Sequence, residues 1–250
     1  LFYLSPMLAI NAAVLISAIF RYVSTIQIVY DITSKDAAYS GMFPNDVKNV
    51  VLRSVDPLGR FVFSGRGSDS TSILWRSSTE LDSFDYISFD DIEIIDLDAS
   101  HSVAEIFFVT TTCEFGIIDA HNFGITYIDN LSLSRLSGIV FDSANDAVYI
   151  SSQSDHVVYR YKRISGMWMN KEVMVGEIGI PGNYGNLVDT PTSLEVAQRS
   201  LVIRSRGGLT VLDMKTEKLS FTALADSRSM GSHDLAFLPN GDNLVYINEA

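Results

Sequence analysis

Short apolar stretches separated by tight polar turns follow one another along the chain. The clearest unit runs from Gly138 to Ser151, with the sequence GIVFDSANDAVYIS. Apolar residues continue up to Phe141, the stretch Asp142–Asp146 interrupts them, and an apolar run resumes through Ile150. Asp, Ser and Asn side chains hydrogen-bond nearby backbone and favour tight turns. The pattern therefore predicts a strand, a tight turn and a second strand.

The same strand–turn–strand unit recurs along the chain. The other copies are Met7–Ala18, Ser54–Gly65, Ile94–Thr110, Ser193–Ser205 and Asp234–Asn248. The anchor residues that follow each first strand are Asn11, Asp56, Asp98, Asp142, Ala197 and Leu238, spaced by 45, 42, 44, 55 and 41 residues. A near-constant spacing of this size is typical of a repeat architecture.

A third apolar strand follows most of these units after a short polar break, and a weaker fourth strand often follows it. The third strands are Ile26–Tyr30, Ile73–Trp75, Val157–Tyr161 and Leu209–Leu212, and Val173–Val175 is a fourth. Four short antiparallel strands in each repeat are the signature of a propeller blade. The sequence therefore predicts an all-β fold: one β-propeller domain over residues 1–250, with about six blades of four antiparallel strands. A β-sandwich is the alternative, but it does not explain the repeated phrase.

Two features concern how the ring is completed. The largest spacing between anchor residues, from Asp142 to Ala197, predicts one extended loop around Met167–Pro191, which is rich in Gly and Pro. Leu1–Leu4 could complete the last blade by pairing the two ends of the chain, which would cover an exposed strand edge. The other possibility is that the ring is truncated in this segment of a longer chain, so that six undercounts the blades.

Charge and cysteine content narrow the range of partners. The net charge is −12, and an acidic surface repels phosphate backbones, so we predict no nucleic-acid partner. The single cysteine, Cys113, excludes an internal disulfide and is interpreted as a small core residue. The expected partner is a protein or a glycan.

The first twenty residues allow two interpretations. Leu1–Phe20 is an uncharged run that is long enough for a membrane anchor or a signal segment. Pro6 and Asn11 interrupt this run, and the repeat predicts two strands there instead. A membrane contact is expected only in the first case. The sequon at Asn130 is relevant only in a secretory pathway. The compartment stays open, with a secretory or extracellular location favoured over the cytoplasm.

The sequence VMVGEIGIPGNYGNLVDTPTSLEV spans residues 173–196 and is rich in Gly and Pro. It is similar to the segment before an entering strand in the NHL-repeat propellers, a family that the chain resembles from about residue 130 onward. Gln153–Val158 is similar to its Asn-His-Arg-Ile turn, but Asp155 replaces Asn and Val157 replaces Arg. The resemblance implies a six-bladed interaction platform, with lyases and hydrolases as the minority activity. Fold alone does not fix function.

By analogy with other propellers, ligands bind where the loops entering each first strand meet the loops between second and third strands. Residues expected on this loop face include Arg21, Arg66, Asp69, Asp155, His156, Arg204, Arg206, Arg228, His233 and Asp234. The predicted ligand-binding set is Arg66, Arg204, Arg206, Arg228, His233 and Asp234. Five of the twelve arginines belong to this face. They form a site for a carboxylate, a sulfate or an acidic partner, or they pair with nearby aspartates.

His233 carries the alternative hypothesis, a propeller enzyme of the lyase, lactonase or sulfotransferase type. It precedes the strand Asp234–Phe237 near the mouth of the channel, where a histidine could act as acid, base or metal ligand. The phrase His-Asp-Leu-Ala-Phe-Leu-Pro-Asn-Gly also resembles the entering strand of six-bladed sulfotransferase propellers, in which the channel histidine is the nucleophile. The simpler interpretation is a polar residue at a strand start. A non-catalytic binding module therefore remains the primary prediction.

No motif points to a cofactor or a metal. The sequence has no Gly-x-Ser-x-Gly elbow and no P-loop. Its four histidines lack metal-ligand spacing, although a site built by three blades is left open. Glu80–Asp98 contains eight acids and no base, and its alternation with apolar residues predicts outer strands with one wet face rather than a calcium site.

Overall fold

The structure, a computed structural model, describes residues 48–66, 71–77, 84–89, 92–100, 102–131, 135–169, 171–197, 199–223, 235–237 and 244–246. The strands are β1 (Lys48–Val55), β2 (Phe61–Arg66), β3 (Ser72–Ser77), β4 (Phe84–Phe89), β5 (Ile94–Ser100), β6 (Glu105–Thr110), β7 (Glu114–Asp119), β8 (Ile125–Asn130), β9 (Leu136–Asp142), β10 (Ala147–Ser152), β11 (Val157–Ile164), β12 (Met167–Trp168), β13 (Glu172–Gly176), β14 (Ser193–Ala197), β15 (Ser200–Ser205), β16 (Gly208–Asp213), β17 (Lys218–Ala223), β18 (Leu235–Phe237) and β19 (Leu244–Tyr246). The described residues contain strands and turns but no helix long and apolar enough to cross a bilayer.

The strands form antiparallel sheets in which each strand pairs with its neighbour in sequence, except that β13 pairs with β11. We name the sheets blade A (β1–β4), blade B (β5–β8), blade C (β9–β13), blade D (β14–β17) and blade E (β18–β19). The first strand of each blade contacts the first strand of the next, from β1 through β5, β9 and β14 to β18. Four-stranded meanders arranged around their first strands make a β-propeller, as the repeat predicted.

Aspartates close the tight turns at the face opposite the loop face. Asp119, Asp142 and Asp213 each accept the backbone N–H groups two and three residues ahead through Oδ1. The fourth residue after each aspartate has a positive φ: Phe123, Asp146 and Glu217. The carboxylate therefore supplies local hydrogen bonds that the turn backbone would otherwise lack.

Apolar side chains fill the space between neighbouring blades. One cluster joins blades A and B around Val62 and Phe108, a second joins blades B and C around Phe107 and Ile150, and a third joins blades C and D around Tyr149. The alternation of side chains along each strand sends successive residues to opposite neighbours, so both faces of an inner sheet are buried. The core is thus a series of layers between blades.

Polar groups also tie one blade to the next. On β5, Asp96 and Asp98 accept the backbone N–H groups of Ile139 and Phe141 on β9, at 3.0 and 2.8 Å. At the outer part of the same interface, the Tyr161 hydroxyl donates to Asp129 Oδ2 at 2.6 Å. Burial and this hydrogen bond raise the pKa of Tyr161 well above that of an ordinary tyrosine.

Several details differ from the sequence prediction. Asp98 does not follow the first strand of its blade but lies inside β5, and with Asp96 it is on an inner strand rather than a wet outer one. The loop predicted around Met167–Pro191 is shorter, because β12 and β13 occupy its first part. Cys113 lies in the β6–β7 turn with φ +65° and is only partly buried against the core. The predicted unit at Met7–Ala18 and the pairing of the chain ends lie outside the described residues.

Candidate functional site

On the loop face of blades C and D, the exposed residue Arg135 before β9 donates its N–H to Ser154 Oγ at 2.7 Å. Three further segments lie on this face. They are the β10–β11 turn, the β15–β16 turn at Arg206–Gly207, and the long segment 177–192 that enters β14. Such entering segments lie beside the second-to-third-strand turns of their blade, and hydrogen bonds join them here. Arg206 N–H donates to the carbonyl of Asp189 at 2.7 Å, and Thr192 N–H donates to that of Arg204 at 2.8 Å.

Segment 177–192 is also fixed to blade C. Gly179 N–H donates to the carbonyl of Asp155 at 2.9 Å, and Gly176 N–H donates to that of Asn186 at 2.8 Å. Across the blades, Asn183 Nδ2 donates to the carbonyl of Arg206 at 3.0 Å. The segment therefore bridges two blades and is held from both sides.

His156 stands where the two blades meet. It has φ +57° in the β10–β11 turn, and its Nδ1 accepts the backbone N–H of Thr190 at 3.1 Å. Because Nδ1 accepts a hydrogen bond, the neutral ring carries its proton on Nε2. Asp189 Oδ1 lies 3.4 Å from Nδ1 and also accepts the Thr190 hydroxyl at 2.8 Å. His156 thus anchors segment 177–192.

Three large apolar side chains on this segment face solvent. Ile178 is 62% exposed, Ile180 is 42% exposed and Tyr184 is 75% exposed. Ile178 is at the tip of a tight turn in which Ile180 N–H donates to the carbonyl of Glu177 at 2.9 Å, with Gly179 at φ +78°. Exposed apolar groups on a fixed backbone are typical of an interaction surface.

The predicted ligand-binding residues are distributed unevenly. Arg206 is exposed in the β15–β16 turn, whereas Arg204 is buried in β15. Leu201 and Ile203 of that strand pack between blades C and D, so the alternation places Arg204 on the opposite side of blade D. Arg66 is the last residue of β2, and the structure does not describe its side chain. Arg228, His233 and Asp234 lie outside the described residues, as do Arg21 and Asp69.

Glu195 shares the buried face of Arg204. Ser193 pairs with Arg204 and Glu195 pairs with Val202, so Glu195 and Arg204 are diagonal neighbours on adjacent strands. Both side chains are buried. Within the described part of the chain, no group of three His, Cys, Asp or Glu side chains could hold a metal ion.

Sequence reasoning missed Ile178, Ile180 and Tyr184 as candidate contacts. The available signal was their position in a Gly- and Pro-rich segment, where apolar residues have no strand to pack in. Only the structure shows that the backbone between them is fixed while the side chains are exposed.

No protein-family profile matches the sequence, and a search of curated proteins gave no match. Solved structures resemble it in fold. An auxiliary nutrient binding protein from Bacteroides thetaiotaomicron matches with a TM-score of 0.57 and 8% identity, covering 80% of this chain and 56% of that one. A protein of unknown function from the same organism matches with a TM-score of 0.53 and 15% identity, covering 71% of this chain and 51% of that one.

A gluconolactonase from Xanthomonas campestris, XC5397, matches with a TM-score of 0.58 and 13% identity, covering 79% of this chain and 68% of that one. The chain thus spans little more than half the length of the two Bacteroides proteins. At these identities the likeness establishes the fold class, a β-propeller, and no activity.

Proposed function

We propose that this propeller is a non-catalytic binding module that recognises a protein partner through segment 177–192. The observation that carries the proposal is the exposure of Ile178, Ile180 and Tyr184 on a backbone fixed to two blades. A surface that is ordered before binding loses less conformational entropy when the partner docks. The resemblance to NHL-repeat propellers supports the same role.

A protein is a better match than a glycan for this surface. Glycans are held by aromatic rings together with many polar groups, whereas two of the three exposed side chains are isoleucines. Aromatic and aliphatic anchors at the centre of a contact are typical of protein interfaces. The net charge of −12 also supports a protein rather than a nucleic acid.

A photo-crosslinking amino acid placed at Tyr184 in the intact protein tests the proposal. In the cells that make the protein, irradiation is expected to yield a discrete protein adduct. The matched control carries the same amino acid at Tyr127, an exposed ring on the outer strand β8. Adducts of equal yield at both positions, or none at Tyr184, would overturn the assignment.

An enzyme that uses His233 is the second candidate, and the structural likeness to a gluconolactonase favours testing it. The test is hydrolysis of glucono-lactone by the intact protein and by His233→Ala. Turnover that is lost in His233→Ala and kept in His121→Ala, a change at an exposed turn residue, would replace the binding proposal with the enzymatic one.

A further inference from the structure

The peptide group between Asp189 and Thr190 is held by two blades at once. Its N–H donates to Nδ1 of His156, in the β10–β11 turn of blade C, at 3.1 Å. Its carbonyl accepts the N–H of Arg206, in the β15–β16 turn of blade D, at 2.7 Å. The N–H and C=O of a trans peptide point in opposite directions, so this one group connects the loops of the two blades. A rotation of the peptide would break both bonds.

Thr190 has a backbone conformation that threonine rarely adopts. Its φ is +50°, in the left-handed region that is unfavourable for a β-branched residue. Strain of this kind persists only where the surrounding structure holds it. The two bonds of the 189–190 peptide provide that restraint, together with the bond from the Thr190 hydroxyl to Asp189 Oδ1 at 2.8 Å. A relaxed conformation is therefore available to Thr190 once the restraint is removed.

The acceptor in blade C is a group whose hydrogen-bonding role depends on its protonation. A neutral imidazole with its proton on Nε2 accepts through Nδ1, whereas an imidazolium ring donates through both nitrogens. Histidine is the side chain whose charge changes between about pH 5 and about pH 8. A protonated His156 is thus unable to accept the Thr190 N–H. Asp189 Oδ1, 3.4 Å from Nδ1, is placed to accept the new N–H of the ring instead.

Charged side chains lie on each of the described elements around this ring. They are Asp155 in its own turn, Glu177 and Asp189 in segment 177–192, Arg135 before β9, Arg206 in the β15–β16 turn, and Lys171 over the ring of Tyr159. Asp189 contacts the ring of His156 directly, whereas the carboxylate of Asp155 accepts the Tyr159 hydroxyl at 2.7 Å. Because aspartates are ionised over the pH range in which histidines titrate, Asp189 is the group that pairs with the imidazolium.

Arg206 links the 189–190 peptide to the exposed part of segment 177–192. Its N–H donates to the Asp189 carbonyl, and its own carbonyl accepts Asn183 Nδ2 at 3.0 Å. Asn183 directly precedes Tyr184, which is 75% exposed. Coupling between two sites is carried by packed and hydrogen-bonded groups that have two discrete arrangements. Loss of the bond between Asp189 and Arg206 therefore loosens the attachment that positions Tyr184.

We propose that His156 is a pH-dependent switch for this surface. At neutral pH the ring accepts the Thr190 N–H, and segment 177–192 is fixed for its partner. In acid the imidazolium pairs with Asp189, the 189–190 peptide is released from both blades, and the partner dissociates. The proposal rests on the proposed function, because it describes how binding by the same segment is regulated.

Amide hydrogen exchange of the intact protein, followed by NMR at about pH 7.5 and about pH 5, tests the switch without any partner. Thr192 is the internal control, because its N–H donates to the Arg204 carbonyl at 2.8 Å and continues the ladder of β14 and β15. Dividing the Thr190 exchange rate by the Thr192 rate removes the ordinary dependence of exchange on pH. This ratio is expected to rise about fivefold in acid, as for the loss of one hydrogen bond. The corresponding ratio for Arg206 is expected to rise with it.

His156→Asn removes the titrating group, and asparagine tolerates the φ of +57° at this position. In this variant the Thr190 ratio is expected to be the same at both pH values. The matched control His121→Asn, at an exposed turn residue of blade B, is expected to keep the full pH dependence. Circular dichroism checks that both variants are folded. A wild-type ratio that does not change with pH overturns the switch, as does a change that persists in His156→Asn.

Photo-crosslinking at Tyr184 tests the control of binding. The purified protein is irradiated in an extract of the cells that make it, at the same two pH values, and the adduct is expected to be about fivefold weaker in acid. Equal adduct yields, together with a Thr190 ratio that rises in acid, would overturn the regulation and leave the proposed function standing. Absence of a Tyr184 adduct at either pH, with the same rise in the Thr190 ratio, would overturn the proposed function and leave the His156 switch in place.

Discussion

The carboxylate of Asp98 on β5 accepts the backbone N–H of Phe141 on β9 at 2.8 Å, so a side chain of one blade hydrogen-bonds the main chain of the next. Asp98 is only 5% exposed, and its other oxygen accepts the N–H of Ala99. A buried carboxylate is costly unless hydrogen bonds compensate it. This contact therefore fixes how the first strands of two blades sit beside each other.

Asp98→Ala is expected to lower the free energy of unfolding by about 2 to 4 kcal/mol, because it leaves the buried N–H of Phe141 without its acceptor. Asp98→Asn, which keeps an acceptor oxygen, is expected to lose about half as much. Urea unfolding followed by tryptophan fluorescence measures both. Ser143→Ala, at an exposed turn residue, is the control. A loss for Asp98→Ala no larger than that of the control would contradict this role.

Gly176→Ala is expected to destabilise the protein strongly. Gly176 has φ +95°, and a Cβ there would lie 2.2 Å from the carbonyl oxygen of His156. Gly166→Ala provides a matched comparison, since Gly166 has φ +80° but nothing lies within 4 Å of the added carbon. It is expected to cost only the backbone strain of about 1 kcal/mol. Thermal unfolding compares the two, and equal losses would show that the close approach to His156 is unimportant.

Stability is expected to fall in acid partly through Asp119. Backbone hydrogen bonds from Asn122 and His121 hold the pKa of its carboxyl below the ordinary value of 3.8, against an opposing effect of burial. A lowered pKa means that this stabilisation is complete above the ordinary aspartate pKa of about 4 and is lost as pH falls through the folded-state value. An NMR titration that follows the chemical shift of the Asp119 carboxyl carbon against pH should give a midpoint below 3.8.

The matching variant is Asp119→Asn, which cannot titrate. Its unfolding free energy is expected to depend less steeply on pH below about 4 than that of the wild type. Identical acid dependence in the two proteins would rule out a contribution from this turn.

Tyr161 is expected to stay protonated at pH values where exposed tyrosines ionise. Burial and the hydrogen bond to Asp129 both raise its pKa, and the neutral hydroxyl is the form that donates. The stabilisation that comes with this raised pKa is therefore fully present below the unfolded-state tyrosine pKa of about 10. It is lost as the pH rises from there through the higher folded-state pKa. Ultraviolet titration of wild type and Tyr161→Phe should show the same number of tyrosines ionising near pH 10.5. One fewer ionisation in Tyr161→Phe would refute the shift.

Local rules account for the parts of this protein that the sequence predicted. Asp142 and the residues after it predicted a tight turn because a carboxylate can serve the backbone ahead of it, and the structure confirms this at Asp142. Alternating apolar residues predicted strands such as β10 and β11, and the repeat predicted the propeller. Each of these depends on residues close together in the chain.

The sequence did not predict the tie between blades. Asp98 belongs to an acidic run that local pattern assigns to a wet outer strand, and only the packing of β5 against β9 places it under Phe141, 43 residues away. The sequence also did not predict which apolar side chains of segment 177–192 are exposed. Ile178 and Tyr184 are exposed because Asp155, Asn183 and Arg206 fix the segment that carries them.

By itself, then, the sequence determined the strands, the turns and the propeller class, because these follow from side-chain periodicity and from hydrogen bonds within a few residues. The tertiary structure alone decided which acids are buried between blades and which apolar side chains are left facing solvent. Both depend on contacts between segments that are distant in the chain, and the free energy of those contacts is not encoded in any local pattern.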